Sequence, residues 1–291
     1  MKKIIINADD IGLSEGVNRA VSECVDKKRI QSVSIISTGF AFDHAIKALR
    51  EYDSLSMGVH LCISGPFSAL TGASSITDKN GFFLRDYRLF IARLIAGGVS
   101  IDDIKQEYEA QIIKVRNSNI RISHIDSHQH LHMIPAIWNI AAELALRYNI
   151  PYMRYVNEPI SSLYAEISGR AIAKYTSMRI FTMINSKKYL KPAGLIFNDY
   201  LWGYVNSGHM TSKRIEKCIL NINGGINEIV LHPAYVNKEL LSISPWHINA
   251  EKELADVLEG DWYKRLLQPG LYVTNHNEFA SGANINREDQ K

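Results

Sequence analysis

None of the three cysteines in this 291-residue chain has a partner nearby: Cys24, Cys62 and Cys218 lie far apart and form no CxxC pair. That excludes a disulfide frame and a thiolate zinc site, and it points to reduced thiols in a reducing compartment. An excess of one charge is also lacking. The net charge of +3, spread over the length, gives no case for nucleic acid or a membrane surface as partner. No apolar run approaches a membrane span, and the run behind Lys2-Lys3 is too short for a signal sequence and ends in Asp9-Asp10. Repeats, low-complexity tracts and linkers are missing too. What remains is a cytoplasmic globular protein, 46% apolar and 22% charged, which we read as a single domain over residues 1–291.

What is present begins with Ile4-Ile5-Ile6, a β-branched run that reads as a strand buried on both faces of a parallel sheet. It ends in Asp9-Asp10, followed by Gly12 and Ser14. Side chains alternate along a strand, so the two carboxylates should diverge unless the backbone has already left the sheet. Strand C-termini are where parallel α/β folds place their sites. Two like charges there raise each other's pKa unless a cation or an Arg separates their roles. The functional reading is one metal-binding carboxylate beside one that moves protons. The structural alternative is helix capping, which Ser14 can do unaided.

The spacing next predicts a helix over 14–29, a strand over 31–37, a helix over 42–52 and a strand over 55–61 that carries His60 near its end. A β-α-β-α-β start implies a parallel sheet with right-handed crossovers. Residues 64–98 read as a long loop with a turn or hairpin, in which Phe82-Phe83 either stack on a ligand or fill the loop's own core. A helix follows over 101–117. In 121–135, ionisable residues fall at His124, Asp126, His128, His130 and His132, and in an extended strand they share one face. So dense a His/Asp face rarely serves packing; imidazole suits metal ions, and a neighbouring carboxylate commonly orients it.

Pro135 opens a helix over 136–148, and a strand over 150–156 carries Arg154, well suited to depress one Asp pKa or to form a plain ion pair. Residues 159–213 read as a partly helical excursion serving a substrate groove or a subunit interface, as in a homodimer. A helix over 212–220 precedes a strand over 227–231 ending at His232-Pro233, where the proline biases His232 away from helix. Residues 240–246 read as loop, 250–258 as helix, 270–275 as the last strand, and 280–291 as a frayed polar tail.

If these strand ends share one rim, Asp10, His60 and His128 make a two-His, one-carboxylate metal site with positions left for water and substrate. Asp9 could then take a proton from water and His232 deliver one to a leaving group, the set that metal-assisted hydrolysis of an amide or ester requires. The same residues carry a resemblance. Asn7-Ala8-Asp9-Asp10-Ile11-Gly12, Gly58-Val59-His60, the run from His124 to His132, and His232-Pro233-Ala234 resemble, in matching order, the YdjC/ChbG carbohydrate deacetylases. That family is similar in turn to the NodB-type polysaccharide deacetylases.

The resemblance implies a distorted β/α barrel with parallel strands and outer helices, and removal of N-acetyl groups from N-acetylglucosamine units of short chito-oligosaccharides such as diacetylchitobiose. Carried over, Asp9 resembles the catalytic base, Asp10, His60 and His128 the metal ligands, His232 the general acid, and Arg154 the residue that orients the base. It implies one divalent ion, Mg2+ by resemblance, whereas the ligand set suits Zn2+ on softness grounds. The family commonly has an aromatic where Ile11 sits and often His where Gln129 sits. Two other readings stay open: an amidohydrolase or PHP-type hydrolase using His128 and His130 as an HxH pair, and a non-catalytic sugar-binding barrel.

Overall fold

The first strand, β1 (Lys2–Ile11), is buried from Ile4 onward in this computed structural model. The structure describes residues 1–72, 74–165, 168–185 and 194–282. Alternation divides β1 between two environments. Ile4, Ile6 and Ala8 join the main apolar core together with Val17, Ala20 and Val21 of the helix Glu15–Asp26. Ile5 instead packs with Tyr152 and Phe279, while Asn7 and Asp9 on the same side as Ile5 meet polar partners. Ser14 caps the helix, its Oγ accepting from the Val17 amide at 3.3 Å.

Seven further strands follow: β2 (Ser32–Ile35), β3 (Ser56–Leu61), β4 (Ile122–Ser127), β5 (Tyr152–Met153), β6 (Tyr200–Trp202), β7 (Gly225–Leu231) and β8 (Leu271–Thr274). Every pairing between them is parallel, in the order β5-β4-β3-β2-β1-β7-β6, with β8 beside the first half of β1. The two ends of the sheet approach each other across residues 196–199. The Met153 amide donates to the Ile196 carbonyl at 3.0 Å, and the Asp199 amide donates to Ile226 at 2.8 Å. The sheet therefore curls into a distorted β/α barrel with helices outside; the alternation of strands and helices predicted its parallel sheet, and the family resemblance implied the barrel. Because all strands run the same way, their C-terminal ends form one rim. Among the described residues, no helix is long and apolar enough to cross a membrane.

Several sequence expectations are corrected. The shared face considered for residues 124–132 does not form: the strand stops at Ser127, and a turn of 3-10 type, His128–Met133, follows, with Gln129 and His130 at φ of 56° and 55°. The strand expected over 150–156 is only Tyr152–Met153, because Pro151 offers no amide hydrogen and the Tyr155 amide goes to the Asn198 side chain at 2.7 Å. Residues expected as loop at 240–246 form a helix, Lys238–Ile243, capped by Asn237, and then a 3-10 turn, Pro245–Asn249. A helix, Tyr87–Ile95, sits inside the stretch read as loop, with Phe90 buried and Leu89 and Ile95 exposed, so it left little periodicity.

Within that loop the hairpin is present as short bridges, Ser68 to Phe82 and Thr77 to Phe83; Phe83 is buried and Phe82 exposed. The excursion contains a helix, Gly169–Asn185, whose apolar residues fall on both its buried and exposed sides, while 166–167 and 186–193 lie outside the described residues. The expected tail is helical over Asn277–Gly282; the rest of it, 283–291, also lies outside the described residues.

Candidate active site

Asp9 and Asp10 both reach the site because the backbone leaves the strand between them. Asp10 has φ of 67°, and the β1–β2 register shifts between Ala8 and Ile11, the signature of a bulge. A bulge re-aims a side chain that strict alternation would send to the opposite face. Gly12, at φ of +94°, completes the turn where an added Cβ would stand 2.7 Å from the Ile36 carbonyl oxygen.

The two carboxylates then acquire different surroundings. Asp9 sits in the fork of Arg154, with Nη1 to Oδ2 at 2.7 Å and Nη2 to Oδ1 at 2.8 Å. The Asn7 amide also donates to Asp9 Oδ1 at 2.7 Å. Burial pushes the Asp9 pKa up, but the Arg154 guanidinium, together with His60 and His232, more than offsets this and holds it below the ordinary carboxylate value. Asp10 lies against imidazoles instead: His128 Nδ1 at 2.9 Å and His60 Nε2 at 3.4 Å from its Oδ1. Burial again acts upward, and His128 and His60 drive the Asp10 pKa well down.

His60, from β3, is oriented by Asp126 of β4, whose Oδ1 is 2.8 Å from Nδ1 and leaves Nε2 facing the Asp pair. Burial lowers its pKa, but Asp126 and Asp9 outweigh that and raise it to about 10. Arg154 binds Asp126 at 2.6 Å and Glu228 at 2.8 Å as well, so one guanidinium joins three buried carboxylates. His232, just after β7, has Nε2 3.9 Å from Asp9 Oδ2; burial first of all holds its pKa below the usual imidazole value. Its backbone amide is fixed by Glu253 Oε1 at 2.6 Å.

The fold thus brings Asp9, Asp10, His60, His128, Arg154 and His232 to one rim. Of the five alternating residues in 124–132, only Asp126 and His128 face the centre. His124 lies lower on β4, stacked on His276 at 3.7 Å. His132 is taken up by Ser127 at 2.6 Å and the Arg154 carbonyl at 3.1 Å. His130 packs edge-on to Tyr204 and belongs to neither of the metal-competent groups among the described residues. Sequence reasoning missed two residues. Glu228 left a signal, a charge inside the apolar run of β7; His247 left none, its stretch being read as loop. His247 Nε2 lies 3.5 Å from Asp10 Oδ2, and burial lowers its pKa to about 4.

The donor set fits a divalent cation. One nitrogen or oxygen each from Asp10, His60 and His128 lie within 4.8 Å of one another, all buried, and Asp10 Oδ2 has no hydrogen-bond partner. Two imidazoles and a carboxylate match zinc-like ions better than magnesium, which favours oxygen.

Fold and rim together define a parallel β/α barrel protein with a carboxylate–imidazole centre capable of holding a cation. The chain belongs to the YdjC-like protein family, whose model matches residues 3–268. It is 24% identical over 279 residues to a carbohydrate deacetylase of Thermoanaerobacter pseudethanolicus, covering 95% of this chain and 99% of that protein. A carbohydrate deacetylase of Clostridium beijerinckii is 25% identical, with coverage of 95% and 100%. Among solved structures, an Enterococcus faecalis protein provisionally described as a cellobiose-phosphate cleavage protein superposes with a TM-score of 0.75 at 21% identity. That match covers 95% of this chain and 98% of that one, and it shows the shared fold.

Proposed function

We propose that this protein is a metal-dependent carbohydrate N-deacetylase acting on N-acetylglucosamine units of short oligosaccharides such as diacetylchitobiose. The observation that carries the reading is the division of labour between adjacent carboxylates, one held by an arginine fork and one by two imidazoles. Environments that separate two such groups commonly separate their roles. The names of the curated relatives support the reaction class.

Asp10, His60 and His128 would hold a divalent ion, which would supply Lewis acidity to the acyl group and to water. Asp9, ionised and kept in orientation by Arg154, takes a proton from the attacking water. His232 rests neutral. The proton drawn by Asp9, 3.9 Å from His232 Nε2, is the available source for the imidazolium that protonates the departing amine. Around the mouth stand Phe40, 58% exposed beside Phe67, and Trp246, whose ring lies 4.9 Å from His232. Such faces suit the apolar side of a sugar ring.

The test is incubation of the metal-loaded protein with diacetylchitobiose and measurement of released acetate. Acetate release that Asp9→Asn abolishes, with metal content unchanged, supports the reading. Absence of acetate across several divalent metals and N-acetylated sugars would leave a sugar-binding barrel without chemistry.

A further inference from the structure

Asp10 turns only one of its oxygens to the imidazoles of His60 and His128. Oδ1 faces His128 and His60, whereas Oδ2 is buried and has no hydrogen-bond partner. Directly opposite, 3.5 Å away, is His247 Nε2, also buried and also without a partner. Each orphaned atom carries a desolvation cost, and here each is the other's nearest means of relieving it.

The remaining contacts of His247 decide which atom donates. Nδ1 lies 2.9 Å from Ser244 Oγ, and the ring is held at its face by Trp246, with centroids 3.9 Å apart. If Nδ1 carried the proton, Nε2 would point a lone pair at the lone pairs of Oδ2. If the Ser244 hydroxyl donates to Nδ1, Nε2 carries the proton and faces an acceptor. Of the two neutral tautomers, only the second satisfies both ends. A side-chain shift of roughly half an ångström brings the pair to ordinary hydrogen-bond length.

We propose that His247 is a positioning residue for the metal-holding carboxylate: Ser244 fixes its tautomer, and its Nε2–H anchors Asp10 Oδ2 so that Oδ1 alone is presented to the cation. This rests on Asp10 being a metal ligand, as proposed above. Asp126 does the corresponding work for His60 from the other side of the centre, 2.8 Å from Nδ1. Partners of this kind set ligand orientation and hence affinity and coordination number. His247 reaches its place from the segment between β7 and β8, so a fourth part of the chain, beyond β1, β3 and the turn after β4, takes part in tuning the ion.

The experiment uses Co2+ as probe, measuring its affinity by competition with a chelator and its coordination by the visible d–d spectrum. His247→Phe keeps an aromatic ring against Trp246 but removes the N–H. It should weaken Co2+ binding by about 10–100-fold and lower the absorption intensity, because the freed Oδ2 can join Oδ1 on the ion. His247→Gln, whose amide can reach Oδ2, should restore most of both. Ser244→Ala should move both in the same direction by less, and it decides the matter if the Phe variant does not fold. Wild-type affinity and spectrum in His247→Phe, or in Ser244→Ala should the Phe variant fail to fold, overturn the proposal, provided Asp10→Asn abolishes binding. If Asp10→Asn also binds Co2+ normally, the metal centre itself has been misplaced, and that failure is separately visible.

Discussion

Removing the guanidinium of Arg154 is the sharpest perturbation the site allows. Arg154 is fully buried and joins Asp9 at 2.7 and 2.8 Å, Asp126 at 2.6 Å and Glu228 at 2.8 Å. In Arg154→Met the stem is matched in bulk, but three buried carboxylates lose their common cation and only the imidazoles of His60, His232 and His276 remain near them. Breaking a buried pair from one side costs about 3–5 kcal/mol, a large share of the roughly 5–15 kcal/mol that holds a domain folded. We expect a loss of that size at pH 7 in urea unfolding of the metal-free protein.

The pH dependence has a definite sign. In the parent, Asp9 is held below its ordinary pKa, so its contribution is present at neutral pH and fades as pH falls through the acid range. In the variant burial acts without Arg154, the Asp9 pKa rises above the ordinary value, and lowering the pH relieves the strain. The two stability curves should therefore converge between pH 7 and pH 4. Arg154→Lys should recover part of the stability and little of the turnover, since one ammonium cannot fork Asp9 while reaching Asp126 and Glu228. A metal-free Arg154→Met protein within about 1 kcal/mol of the parent at pH 7, with parallel pH curves, would refute the claim that these carboxylates depend on Arg154.

Other predictions concern separate parts of the molecule. Asp9→Asn should lower acetate release by about 10²–10⁴-fold with metal content intact, whereas His128→Ala should lose both, as read by elemental analysis. Glu158 is buried and its pKa is pushed up to about 7 by desolvation, against the Val205 and Gly203 amides that favour its charge. Its contribution is therefore greatest below the unfolded pKa and is lost as pH rises to 7 and beyond. The penalty for Glu158→Gln should shrink by about 3 kcal/mol between pH 5 and pH 8, and a pH-independent penalty in urea melts would count against it. In Gly39→Ala the new Cβ would sit 2.2 Å from the Gly12 carbonyl oxygen, a backbone atom that cannot step aside. We expect a loss of about 1–3 kcal/mol; an unchanged melting curve would mean the turn after Asp10 is free to move.

The sequence by itself determined the parallel sheet and, through the family resemblance, its barrel form, and it named most of the residues found at the rim. Apolar β-branched runs separated by helical periodicity leave a parallel sheet as the economical way to bury both faces, and parallel strands must end on one side. That topology predicts the meeting of Asp9, His60, His128, Arg154 and His232, and leaves the direction of Asp10 open, because side chains alternate along a strand. Period-two reasoning failed where the backbone leaves extended geometry, because left-handed residues such as Asp10, Gln129 and His130 redirect side chains without altering composition. Only the tertiary structure decided that Asp10 turns to the same site as Asp9, that His130 and His132 turn away, and that Glu228 and His247 complete the surroundings of the two carboxylates. These outcomes depend on distances between elements far apart in the chain, and a one-dimensional pattern of polarity carries no record of such distances.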